Sequence, residues 1–235
     1  PASGRQVWTL IDMFPGRPGM TVIGENGGIV MRDGVEVSSS PLDAPTMREA
    51  VCLVREATSG PDGIDGGLVM CGKQFAYVER TDDRFVDGVM PYYHRTKRVD
   101  DQIAIIDAIE AGEIDDAIVK LAVYVIGPVQ ALAEATLANF ADTHQYAISG
   151  ANWADLQIRG VDKGSAVRDL QRFLGVTREQ TAVFGDAGND LSMMSEGDLS
   201  FAMANASRDV VEAARFVAPS NNEAGVAQVL RALLA

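Results

Sequence analysis

Toward the end of the chain, short apolar runs alternate with segments whose apolar residues recur at helical spacing. "KGSAVRDLQRFLG" predicts a helix from about Gly164 to Phe173, closed by Gly175. "TAVFG" reads as a short buried strand and "NDLSMMSEG" as a short helix ended by Gly197. "LSFAMA" is a predicted strand, "SRDVVEAA" a helix, "RFVA" another strand, and "NNEAGVAQVLRALLA" closes with a helix. Strands alternating with helices through brief turns predict a parallel α/β sheet. Ligands of such sheets collect at the carboxyl ends of the strands, where Asp186 falls.

The first 42 residues are expected to join the same layer. "SGRQVWTLIDMF" spaces Val7, Leu10, Ile11 and Phe14 helically, and "TVIGENGGIVMRDGVEV" reads as a strand followed by a hairpin. Asn26-Gly27 and Asp33-Gly34 are its turn pairs. From about Asp43 to Arg159 helices and alternating strands mix differently, between the turn-rich stretches "SSSPLDAP" and "RGVDKG". The expected fold class is therefore α/β: a parallel-sheet core from residues 1–42 and 160–235, with an inserted α+β domain over 43–159.

Composition narrows the function classes. At 235 residues, 47% apolar and 23% charged, the chain has ordinary globular proportions and room for one large or two modest cores. Acids outnumber bases 33 to 20, and the net charge of −13 opposes nucleic acid and anionic membranes. A small anionic substrate remains compatible where cations are gathered locally. Two cysteines, Cys52 and Cys71, make no disulfide framework, and two histidines besides make a zinc centre unexpected. The longest apolar stretch, "AIVKLAVYVIG", is strand-length and carries Lys120. A cytoplasmic monomer or small homo-oligomer is expected, with no membrane and no nucleic-acid partner.

Three turns carry candidate chemistry. In "FGDAGNDLSMM", Asn189 or Asp190 can cap the following helix. Alternatively, Asp186 and its neighbours hold Mg²⁺, which takes one or two carboxylates together with water and substrate phosphate. A calcium loop does not fit, because Leu191 stands at the sharp-turn position and Gly197 at that of the bidentate glutamate. Lys163, at a predicted helix start, opposes the helix dipole unless something compensates; it is either a solvated lysine or a cation for phosphate. Ser3 and Gly4 either cap the first helix or form an anion cradle.

Together these residues resemble the haloacid dehalogenase (HAD) superfamily of phosphatases, in particular its Cof-type sugar phosphatases with a large α+β cap. "ASGR" is similar to the family's second motif, "VDKGSAV" to its third and "FGDAGNDLSMM" to its fourth; "NGGIV" and "FAMANA" resemble its connecting segments. The resemblance implies a HAD-like Rossmannoid core with an inserted cap, Mg²⁺ as cofactor and a small phosphorylated substrate. It implies Asp186 as metal ligand and Asp190 as its support. Ser3, the Gly4 backbone and Asn189 would contact phosphoryl oxygens, and Lys163 would bridge phosphate and nucleophile. The implied mechanism passes through an aspartyl-phosphate. Alternatives within reach are a phosphomutase and a non-catalytic phosphosugar-binding module.

The family's first motif, D-x-D-G-[TS], which supplies the nucleophile, does not occur; "MRDGVEV" and "GPDGIDGG" lack its spacing. The sequence reading expects the natural protein to be longer and the chain as written to be inactive. In the inserted domain the basic stretch "PYYHRTKR" is read as a solvated loop or a phosphosugar attractor. Lys120 is read as facing a cleft or guarding a sheet edge, and His144 and Trp153 as packing residues.

Overall fold

The computed structural model describes residues 1–235, which divide into two compact units, Pro1–Val161 and Asp162–Ala235. The first begins with α1 (Val7–Met13) and three strands, β1 (Thr21–Gly24), β2 (Ile29–Arg32) and β3 (Val35–Ser39). These strands form an antiparallel sheet of their own in the order β1-β2-β3. This is the strand and hairpin that the Asn26-Gly27 and Asp33-Gly34 turn pairs predicted, and Ala2 bridges Ile23 of β1 in parallel. Turns of a few residues return each strand directly against its predecessor, and such turns make antiparallel pairs.

There follow α2 (Ala44–Thr58), β4 (Gly66–Gly72), β5 (Ala76–Val78), α3 (Asp83–Val89), β6 (Thr96–Arg98) and α4 (Gln102–Glu110). Then come β7 (Ile118–Val125), α5 (Gln130–Ala135), β8 (His144–Ile148) and β9 (Trp153–Ile158). The six strands form one mixed sheet, β6-β5-β4-β7-β9-β8, antiparallel except where β5 meets β6. Residue alternation sends Leu68 and Met70 of β4 into a core with Met47, Val51 and Val54 of α2, Ile106 of α4 and Leu132 of α5. Val69 and Cys71 point the other way, toward Ala122, Phe85, Val89 and Tyr93. Each large apolar side chain so buried contributes about 1.5–3 kcal/mol of transfer free energy.

The N-terminal segment packs on this sheet, with Val7, Leu10, Val22, Ile29 and Met31 around Val119 of β7. Polar contacts also join α1 to the basic stretch. Gln6 Nε2 donates to the Arg95 carbonyl at 3.0 Å, while Arg95 N donates to Gln6 Oε1 at 2.9 Å. The Arg95 guanidinium lies 3.5 Å over the Trp8 ring, Lys97 Nζ lies 3.8 Å over Phe75, and His94 Nδ1 meets Asp12 Oδ2 at 2.9 Å. His94, Arg95, Lys97 and Arg98 stay exposed, as expected of a solvated stretch, while part of it forms β6 and its inner contacts reach α1. His144 bonds Thr143 and packs edge-on against Phe140, and Trp153 packs among Tyr92, Tyr93 and Tyr124 with its ring tilted or edge-on to theirs.

The second unit follows the alternation read from the sequence: α6 (Lys163–Leu174), β10 (Ala182–Gly185), α7 (Leu191–Met194), β11 (Leu199–Met203), α8 (Arg208–Ala213), β12 (Phe216–Ala218) and α9 (Gly225–Leu233). Its three strands are parallel, in the order β10-β11-β12, and Phe184, Phe201 and Phe216 stack across them. The α6 helix opens on a capping box, with Asp162 Oδ1 accepting from Ser165 N at 2.8 Å, and closes on Gly175 at φ 67°.

Candidate active site

Strand β10 delivers Asp186 to its carboxyl end, where the carboxylate is exposed and meets Asn205 Nδ2 at 3.5 Å. Its main chain is fixed on both sides: Asp186 N donates to Asp190 Oδ2 at 3.0 Å, and the Asp186 carbonyl accepts from Ser207 N at 2.9 Å. Asp190 itself is buried, and its carboxylate is fully committed. One oxygen accepts from Lys163 Nζ at 2.7 Å, and the other takes the backbone N–H groups of Asp186 and Ala187. Asp190 therefore does not cap the helix that follows, as one reading of the sequence had it; its side chain ties back to the turn that precedes it and pairs the lysine. Asn189 lies between them on the exposed side of the same turn.

Lys163 is buried, which corrects the solvated-lysine reading. Two carboxylates compensate its unfavourable place at a helix start: Asp162 at the cap and Asp190 on its ammonium. An ammonium has three donors, so the Asp190 contact leaves capacity for an anion. Two glycines permit the close packing. A Cβ on Gly164 would lie 2.5 Å from the Ser192 carbonyl oxygen, and one on Gly185 would lie 2.6 Å from Asp190 Cβ.

This donor set is compatible with Mg²⁺ in a specific sense. No three His, Cys, Asp or Glu side chains converge, so the residues do not make a complete protein cage. One exposed strand-end carboxylate, backed by a second that is already engaged, is what an ion completed by water and phosphate needs. Asp186 would be the ligand, and Asp190 would hold the turn.

In the first unit Ser3 and Gly4 are held against β1. Ser3 N donates to the Ile23 carbonyl at 2.9 Å, and the Ser3 carbonyl accepts from Asn26 N at 3.0 Å. Ser3 does not cap α1: Gln6 is the cap residue, and Ser3 Oγ instead accepts from Arg5 N at 3.2 Å. A Cβ on Gly4 would approach Asn26 Oδ1 to 3.0 Å. Asn26 and Glu25 both adopt left-handed backbone, φ 51° and 49°, a costly pair for residues with side chains.

Beneath this turn lies a buried charge cluster that the sequence reading missed. Lys120 is no edge guard; it sits on central β7, 1% exposed, and donates to the Gly4 carbonyl at 2.8 Å. Its Nζ is 2.8 Å from Glu25 Oε2 and 3.6 Å from Asp155 Oδ1. The Glu25 contact is an ion pair by distance but lies off the hydrogen-bond direction, so neither Glu25 oxygen is hydrogen-bonded. Burial raises the Glu25 carboxyl despite the lysine. For Lys120 burial works downward, but Asp155 and Glu25 outweigh it and hold the ammonium above its ordinary value. The available signal was a lysine inside an apolar strand together with the Glu-Asn-Gly turn.

Residues 2–230 match the family of haloacid dehalogenase-like hydrolases. The Escherichia coli K12 protein YbjI, a 5-amino-6-(5-phospho-D-ribitylamino)uracil phosphatase, is 33% identical over 240 residues, covering 99% of this chain and 82% of that protein. The fold of SMU.1108c from Streptococcus mutans UA159 superposes with a TM-score of 0.79 at 23% identity, over 99% of this chain and 84% of that one. BT4131, a HAD subclass IIB sugar phosphatase, gives 0.73 at 18% identity, over 99% and 84%. The chain belongs to the haloacid dehalogenase-like hydrolases and is a phosphatase, a phosphoric monoester hydrolase of that family.

Proposed function

We propose that the protein is a Mg²⁺-dependent phosphatase of small phosphorylated metabolites, sugar phosphates foremost, working through an aspartyl-phosphate. The observation that carries this reading is the division of labour at the β10 terminus. Asp186 offers an exposed carboxylate, while Asp190 is consumed by Lys163 and two backbone N–H groups. The activities of the relatives support the substrate class: phosphate on a ribityl chain in one and on a sugar in another.

Asp186 would hold Mg²⁺, and the chemistry the ion would supply is positive charge for the phosphoryl oxygens. Lys163 adds a buried ammonium whose orientation Asp190 fixes, and Asn189 offers an amide to a phosphoryl oxygen. Ser3 and the Gly4 backbone contribute neutral hydrogen bonds to the same class of group. Residues 1–42 and 160–235 are proposed as the catalytic core and 43–159 as the substrate-selecting cap. The attacking aspartate is assigned to none of residues 1–235.

The test is inorganic phosphate release from a panel of phosphosugars and phosphorylated ribityl compounds by the protein, with and without Mg²⁺. Metal-dependent release supports the reading. An isomerised phosphosugar without release would make the protein a mutase, and tight binding without either product would make it a binding module; each outcome overturns the proposal.

A further inference from the structure

Two hydrogen bonds of the Ser-Gly loop lie on one peptide unit. Lys120 Nζ donates to the Gly4 carbonyl at 2.8 Å. That carbonyl belongs to the Gly4–Arg5 peptide, whose N–H donates at 3.2 Å to Ser3 Oγ. The Ser3 hydroxyl therefore spends acceptor capacity on the Arg5 N–H, and a hydroxyl keeps one proton to donate. A hydroxyl with its acceptor side engaged presents its proton outward. A cation on the far end of the same peptide polarises the N–H, and hydrogen bonds in series strengthen one another.

We propose that Lys120 is a positioning residue for phosphate: through the Gly4–Arg5 peptide it orients Ser3 as a hydrogen-bond donor to a phosphoryl oxygen. This deepens the reading of Ser3 given under Proposed function and rests on it. The surroundings serve the same end. Lys120 is closed off from water and flanked by Glu25 and Asp155, which keep it charged and in place. Asn26 Nδ2 ties the turn beside Gly4 to Asp155 Oδ2 at 2.9 Å.

A double-mutant cycle on inorganic phosphate affinity, measured by calorimetry on the intact protein, tests this. Ser3→Ala removes a hydrogen bond to a charged group and should weaken phosphate roughly tenfold. Lys120→Met should weaken it by about three- to tenfold in the wild-type background. In the Ser3→Ala background the same change should cost less than about twofold, because coupled residues are not additive. If Lys120→Met costs as much without Ser3 as with it, or costs nothing in either background, the inference is overturned. If Ser3→Ala itself leaves phosphate affinity unchanged, the underlying reading of Ser3 fails instead.

Removing the lysine strands Glu25, so Glu25→Gln/Lys120→Met is the companion variant. It should regain thermal stability without regaining phosphate affinity; recovery of both would reduce Lys120 to a structural role and overturn the inference. Should neither variant fold, the Lys120 Nζ resonance of the wild-type protein decides. A shift on adding inorganic phosphate supports the relay, and a stationary resonance under saturating phosphate overturns it.

Discussion

Asp186 and Asp190 sit four residues apart with opposite allegiances, and substitution separates them. Asp186 is exposed, so Asp186→Asn should leave the melting temperature nearly unchanged while lowering kcat by about two to three orders of magnitude, a loss typical of removing charge stabilisation. Mg²⁺ titration of the same variant should show weakened metal dependence; unchanged activation would remove Asp186 from the metal site. Asp190→Asn acts differently because its partner is buried. Stranding Lys163 should cost about 3–5 kcal/mol in urea denaturation. Lys163→Met/Asp190→Asn should return part of that stability and none of the activity. Full recovery of activity would show that the pair holds the fold alone.

Among the elements, the strand–helix alternation of residues 162–235 was legible because each segment is short, strongly patterned and closed by its own turn residues. The Asp162 and Gly175 ends of α6 are set by local side-chain and backbone geometry. What sequence did not disclose was set by partners distant along the chain. The burial of Lys163 depends on Asp190, 27 residues on, and the meaning of Lys120 depends on Gly4, 116 residues away. The pairing of β1–β3, by contrast, was legible, because Asn26-Gly27 and Asp33-Gly34 mark its turns in the local pattern. The Ser-Gly, Lys-Gly and Gly-Asp-Ala-Gly-Asn-Asp turns were found by motif, whereas their support was found only by geometry.

Two element-level outcomes follow. Gly164→Ala drives a methyl toward the Ser192 carbonyl and should cost about 1–3 kcal/mol, read as a lowered melting temperature with α6 displaced from Ser192. In α2, Asp43 caps the helix by accepting from Thr46 N at 2.9 Å, and that bond holds its carboxyl below the ordinary 3.8. A depressed carboxyl stabilises the fold above its unfolded pKa and loses that contribution as pH falls through its folded one. Asp43→Ala should therefore cost about 1 kcal/mol at pH 7, and the difference from wild type should narrow progressively below pH 3.8. A gap that stays constant down to pH 2 would assign the cap no charge component.

For the whole molecule, the excess of acid governs handling. With a net charge of −13 and a sequence pI near 4.5, solubility should pass through a minimum near that pH and recover on either side. Chelation with EDTA should abolish phosphatase turnover and Mg²⁺ should restore it; turnover that survives exhaustive chelation would exclude a metal-dependent route. No helix is long and apolar enough to cross a membrane.

The distribution of chromophores has a practical bearing on all of these measurements. Trp8 and Trp153, with all five tyrosines (Tyr77, Tyr92, Tyr93, Tyr124 and Tyr146), fall within residues 1–161. The unit that carries Lys163, Asp186 and Asp190 has only phenylalanines. Absorbance and fluorescence excited at 280 nm therefore report one unit and are blind to the other. An unfolding curve followed by intrinsic fluorescence can remain native while the acidic turn has already melted, so the stability of Asp190 and Gly164 variants calls for far-ultraviolet dichroism, calorimetry or an introduced tryptophan on α9.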